Sequence, residues 1–221
     1  MNLEQVRNQY QRYPMFQLEN SEEFLTTIIE EQFKDSMNAF FIDYKKTKQV
    51  HRAEFLRVIE NLLQKGIKKQ EAGKKGKIAY ICIFFLESAV MTGSYQMQIQ
   101  MYDKNLYFDR NEVSSRWDTS FIMKYYEKDI EELDKKAKKR IYYWRYKEYQ
   151  KMKLEYAKAY KAIVEVYGME LIRELFELEL YKKLEREEDI KVLYGGYLEK
   201  LHTIYPMEML NETGGRTCST F

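Results

Sequence analysis

Between Asp118 and Gly168 the sequence contains neither proline nor glycine, and no other feature constrains the fold as strongly. Asp118 supplies a capping side chain for a helix that begins near Phe121. Ile130, Leu133, Ala137, Ile141, Trp144, Met152, Ala159 and Ile163 then recur at helical spacing. A single helix over 121–168, rising about 1.5 Å per residue, would be a rod of roughly 70 Å. A compact chain of 221 residues has a radius of gyration near 17 Å, so its body is roughly 45 Å across. The 121–167 segment must therefore bend or break, around Asp134–Arg140, or protrude toward a partner.

The remaining periodicities place this segment in an α+β fold that is predominantly helical. Asn20 and Glu23 have the spacing of a capping box. Phe24, Ile28, Met37, Phe40, Phe41 and Tyr44 continue at helical spacing to about Lys46. His51–Leu63 reads as a second amphipathic helix, with Gly66 as its C-terminal cap. Residues 66–77, basic and punctuated by glycine, read as a solvated connector.

Tyr95–Tyr102 alternates strictly: Tyr95, Met97, Ile99 and Met101 fall on one face and Gln96, Gln98 and Gln100 on the other. That is a strand with one wet face. Ile78–Val90 is apolar on both faces and pairs with it as a hairpin through Thr92-Gly93-Ser94, a buried helix being the rival reading. Leu106–Phe108 supplies a third short strand. The expectation is a small antiparallel sheet over about 78–109, packed against helices. Met169–Leu184 and Asp189–Leu210 read as further helices, interrupted at Gly195-Gly196. One domain then spans 1–210, and 211–221 is a flexible tail.

Several functions lose their footing on the residues available. Two cysteines, Cys82 and Cys218, make neither a disulfide framework nor a zinc pattern. The first residues have no apolar signal core, and the Ile78–Leu86 window falls short of the roughly 20 residues of a membrane helix. The expected setting is cytoplasmic, without membrane association. Gly73-Lys-Lys-Gly76-Lys77 has the wrong spacing for a phosphate-binding loop and no hydroxyl after its lysine. His51 and His202, assigned to a helix end and a helix face, belong to no metal-ligand pattern. Carboxylate pairs abound on exposed helices, and Glu54 and Glu87 read as the better embedded acids. Cys218-Ser-Thr-Phe221 has the outline of a prenylation box, but its middle residues are polar. No catalytic, cofactor-binding or metal site is legible, so an enzyme stays open only as a third reading.

One constellation carries a mechanism. Between Asp134 and Lys153, nine basic residues face two acidic ones, a local charge of +7, with Tyr142, Tyr143, Trp144, Tyr146 and Tyr149 interleaved. On a continuous helix Tyr143 and Tyr146 point away from the core stripe, beside Lys136, Lys139, Lys147 and Lys153. Rings among ammonium groups can stack on unpaired bases while the cations meet phosphates. The competing reading covers the same surface with protein. Residues 165–189 carry a charge of −5, nine acids against four bases, and could lie antiparallel to the basic helix. The reading ranked first is an interaction or scaffold protein, self-associating as a homo-oligomer or binding a protein partner through the aromatic-rich helix. A nucleic-acid-binding protein is the alternative.

Overall fold

The computed structural model describes residues 22–206, with side chains from Thr27 onward; the Asn20 cap and the 211–221 tail lie outside the described residues. Helix α1 runs over Glu22–Glu71, one continuous element where the sequence suggested two. Thr47-Lys-Gln-Val50 contains no helix breaker, so the two amphipathic segments fuse. Gly66 sits inside α1 and caps nothing. A Cβ there would lie 2.4 Å from Met101 Cε and 3.3 Å from Leu184 Cδ1, so its role is close packing.

The chain continues through β1 (Ile78–Phe84), helix α2 (Glu87–Thr92), β2 (Gln96–Tyr102), a 3-10 turn at Leu106–Phe108 and β3 (Val113–Asp118). Helices α3 (Ser120–Arg140), α4 (Tyr146–Leu175) and α5 (Glu179–Lys183) follow, then β4 (Arg186–Gly195) and β5 (His202–Tyr205). The fold is α+β and predominantly helical, as the sequence indicates. The sheet is larger than expected: five strands in the order β3-β2-β1-β4-β5. It is mixed, because β1 pairs antiparallel with β2 and parallel with β4.

The difference comes from two segments. Ile78–Val90 divides into a strand and a short helix, and the third strand is Val113–Asp118, not the 106–108 turn. The stretch from Asp189, read as helix to Leu210, instead continues β4 to Gly195 and enters β5 at His202–Tyr205, and 207–210 lie outside the described residues. Ile190, Val192 and Tyr194 are buried, a period-two pattern that fits a strand laid beside the fully covered β1. Glu187-Glu188-Asp189 and the glycine pair Gly195-Gly196 mask that alternation in the sequence.

The alternating strand buries its apolar face as its sequence says, but the face expected to be wet is covered too. Tyr95, Met97, Ile99 and Met101 are buried on the helix-covered face, with Ile81, Ile83, Trp117 and the apolar sides of α1, α3 and α4. Of the glutamines, Gln96 and Gln98 are half-buried. Gln100 is buried and donates to Glu112 Oε1 at 2.9 Å. The opposite face of the sheet carries a smaller cluster of Cys82, Phe84 and Tyr102, covered by Leu106, Tyr107 and Leu201 from the adjoining loops.

The basic connector is less solvated than its composition implied. The Lys75 side chain is fully buried and pairs with the carboxylate of Asp109. It also donates to the carbonyls of Met101 and Asn111, each at 3.0 Å. No helix among the described residues is long and apolar enough to cross a membrane.

Candidate functional site

The segment over 121–168 does break, at residues 141–145, just beyond the expected Asp134–Arg140. Five of the six residues from Ile141 to Tyr146 are β-branched or aromatic (Ile-Tyr-Tyr-Trp, then Tyr146), which lose side-chain freedom in a helix. The chain leaves α3 at Ile141 in an extended conformation and enters α4 from Arg145, also extended. Glu148 accepts from the Arg145 amide at 3.2 Å, satisfying one of the free N–H groups at the start of α4.

Helices α3 and α4 thus fold back on each other as a hairpin. Asp129, fully buried on α3, ties the pair together. It accepts from Tyr156 at 2.6 Å and Tyr160 at 2.7 Å on α4, and from Ser36 at 2.5 Å and Gln32 at 2.9 Å on α1. Burial pushes both tyrosine hydroxyls well above their ordinary range, and the Asp129 charge adds to the shift. Both phenols therefore stay protonated as donors.

The hairpin projects an aromatic elbow. Ile141 and Trp144 pack against the core, whereas Tyr142, Tyr143 and Tyr146 are 91%, 67% and 74% exposed. The rings of Tyr142 and Tyr143 meet edge to face at 4.8 Å, and the Arg145 guanidinium lies 5.8 Å from the Tyr143 ring centre. Beside them opens a cavity of about 400 Å³ lined by Asp134, Lys138, Trp144, Arg145, Tyr146 and Tyr149. Asp134 holds the elbow in shape: Trp144 Nε1 donates to its Oδ1 at 2.8 Å and Lys138 Nζ to its Oδ2 at 2.6 Å. Burial raises the pKa of the Tyr149 hydroxyl, with the Asp134 charge contributing.

The sequence-derived residues do not share one helix face. Tyr143 lies in the elbow, and Tyr146 and Lys147 open α4, all three exposed. Lys139 is exposed in the last turn of α3. Lys136, on the same helix, turns toward α1 and donates to Gln32 Oε1 at 2.9 Å. Lys153 is half-buried, with its ammonium 5.8 Å from the Tyr149 ring centre. Tyr146 is the residue of that set that lines the cavity. Its remaining walls, Asp134, Lys138, Trp144, Arg145 and Tyr149, were in the basic-aromatic stretch but not among the residues singled out. The run of poor helix formers was the available signal for them.

The acidic segment does not cover this surface. Residues 146–175 form one helix that carries the end of the basic stretch and the start of the acidic one in line, so these parts do not pack antiparallel on each other. Glu170 pairs with Lys48, and Glu174 accepts from Arg52 Nε at 2.7 Å, both cations on α1. Glu165 is fully buried against His202, which sits on β5 and not on a helix. His51 stacks on Phe121 at 3.9 Å and pairs with Glu54.

The embedded acids also differ from those expected. Glu54 and Glu87 are exposed, whereas Asp129 and Glu165 are fully buried. Each of these two has its own partners and neither lines the elbow cavity. Among the described residues, no group of three or more His, Cys, Asp or Glu side chains is placed to hold a metal ion. Compared with protein-family models, curated proteins and solved structures, the chain matches none.

Proposed function

We propose that the elbow between α3 and α4 is a binding surface for single-stranded nucleic acid, acting in the cytoplasm. The observation that carries this reading is the exposure of Tyr142, Tyr143 and Tyr146 within a stretch of local charge +7. Bare aromatic rings cost solvation unless something covers them, and each offers a stacking face to an unpaired base. Lys138, Lys139, Arg145 and Lys147 stand around the rings to meet the phosphates. A duplex keeps its bases stacked inward, so the rings favour an unpaired strand.

A second reading, the interaction protein that self-associates through this helix, draws on the same three tyrosines, a residue type rich at protein interfaces. It carries a charge penalty. A twofold dimer sets the same patch against itself, which here brings +7 against +7. A polyanion meets no such repulsion.

The test is fluorescence anisotropy with a labelled single-stranded oligonucleotide across a range of salt concentrations. Four neutralised phosphates predict a slope of log K against log salt of about −3. Tyr143→Ala with Tyr146→Ala should weaken binding roughly 30-fold, at about 1 kcal/mol per lost stack. Absence of binding at low salt, or binding without a salt slope, refutes the proposal. Light scattering on the same sample reads the second interpretation, since self-association requires a mass above that of one 27.0 kDa chain.

A further inference from the structure

Resting on the single-strand reading, we infer that the elbow cavity is a one-base pocket in which Asp134 selects guanine. At about 400 Å³ the cavity lies at the small end of the roughly 300–1,000 Å³ typical of ligand sites, a size suited to one nucleoside. Its walls divide by chemistry. Trp144, Tyr146 and Tyr149 supply the aromatic surface, Lys138 and Arg145 the cations, and Asp134 is the lone carboxylate among the six lining residues.

An acid in a surface for polyanions needs an explanation beyond charge. Asp134 spends one lone pair of Oδ1 on Trp144 Nε1 and one of Oδ2 on Lys138 Nζ. A carboxylate accepts about four hydrogen bonds, which leaves one acceptor position on each oxygen. The side chain remains 19% exposed, so those positions can be reached.

Two adjacent acceptors suit two adjacent donors. The Watson–Crick edge of guanine presents N1–H and the N2 amino group side by side and can pair with both oxygens. Adenine and cytosine each set an amino donor beside an acceptor nitrogen, so one carboxylate oxygen would face a lone pair. Thymine and uracil flank a single N–H with two carbonyls and are the poorest match. Unpaired bases are read on this edge because no complementary strand occupies it. The predicted order is guanine, then adenine and cytosine, then thymine or uracil.

The experiment uses the full chain and four octanucleotides, (dT)8 and its derivatives with one central dG, dA or dC, in anisotropy titrations at fixed salt. The single dG should bind roughly 10-fold tighter than all-dT, the discrimination expected of a bidentate pair. Asp134→Asn keeps an oxygen for Trp144 but turns donors toward guanine. It should bring the four affinities together, weakening the dG strand through loss of the bidentate pair while tightening all-dT through loss of a negative charge. Equal affinities on the parent chain, with the salt slope and the tyrosine dependence intact, would overturn the guanine pocket and leave the strand-binding proposal standing. No binding by any of the four would overturn both.

Discussion

Replacing Lys75 with methionine removes a cation from a site with almost no access to water, since the side chains of Lys75 and Asp109 are 0% and 2% exposed. The ammonium serves three acceptors at once: the Asp109 carboxylate and the carbonyls of Met101 and Asn111. Methionine fills similar space and donates to none of them. The carboxylate keeps the amides of Asp103 and Asn111 as donors, each at 2.9 Å, which offsets part of its lost charge partner. Breaking a buried ion pair from one side costs about 3–5 kcal/mol, and each stranded carbonyl contributes on the order of 1 kcal/mol of that. For a chain of this length the loss corresponds to a Tm roughly 6–20 °C lower. Urea titration followed by far-ultraviolet circular dichroism and tryptophan fluorescence reads it, Trp117 being buried and stacked on Tyr167. A variant within about 1 kcal/mol of the parent at unchanged m value would refute the reasoning. Lys75 would then be an ornament of the 72–77 loop, not its anchor.

The same pair predicts an acid-sensitive stability. Burial works against ionisation of Asp109, but hydrogen bonds from Lys75 and the two amides outweigh it and hold the carboxyl below its ordinary value. The folded chain then binds fewer protons than the unfolded one. Stability is complete above about pH 4 and declines as pH falls below that; urea midpoints from pH 6 to pH 2.5 should show a smaller decline in Lys75→Met than in the parent. At Asp129, alanine strands four donors from Gln32, Ser36, Tyr156 and Tyr160 and should cost about 3–5 kcal/mol, against about 1 kcal/mol for Tyr156→Phe. Thermal melts that rank the two variants equally would count against the network. Gly195→Ala would set a Cβ 3.0 Å from the Lys200 carbonyl and 3.3 Å from Leu201 Cα, backbone-linked contacts that cannot swing away. About 1–3 kcal/mol of destabilisation is expected in urea, and an unchanged midpoint would show that the β4–β5 turn relaxes freely.

What the sequence revealed depended on whether a period was clean. Gln96–Met101 alternates cleanly, so its helix-covered face was legible, but the covering of the opposite face, where Gln100 and Tyr102 are buried, was not. The 121–167 segment announced its break through a length argument, and the break fell beyond the predicted window because the deciding signal was propensity at Ile141–Tyr146, not charge at Asp134–Arg140. Strand β4 was hidden because three acids precede its buried Ile190, Val192 and Tyr194, and because its partner β1 lies more than 100 positions away. Parallel pairing at such a separation leaves no local mark. The basic-aromatic stretch was visible as composition, but its cavity was not: Asp134 and Trp144 come together only after the chain reverses. Buried acids were the least legible feature. Asp129 stands in a sequence neighbourhood as charged as any exposed one, and only packing against α1 and α4 identifies it.

The most direct measurement is photocrosslinking of the intact protein to a single strand bearing 5-iodouracil in place of thymine, followed by mass mapping of the adducted peptides. If the elbow stacks unpaired bases, adducts concentrate on Tyr142, Tyr143 and Tyr146 and fade as salt is raised. Adducts spread over other surfaces, or a yield indifferent to replacing those three tyrosines with alanine, would contradict the account.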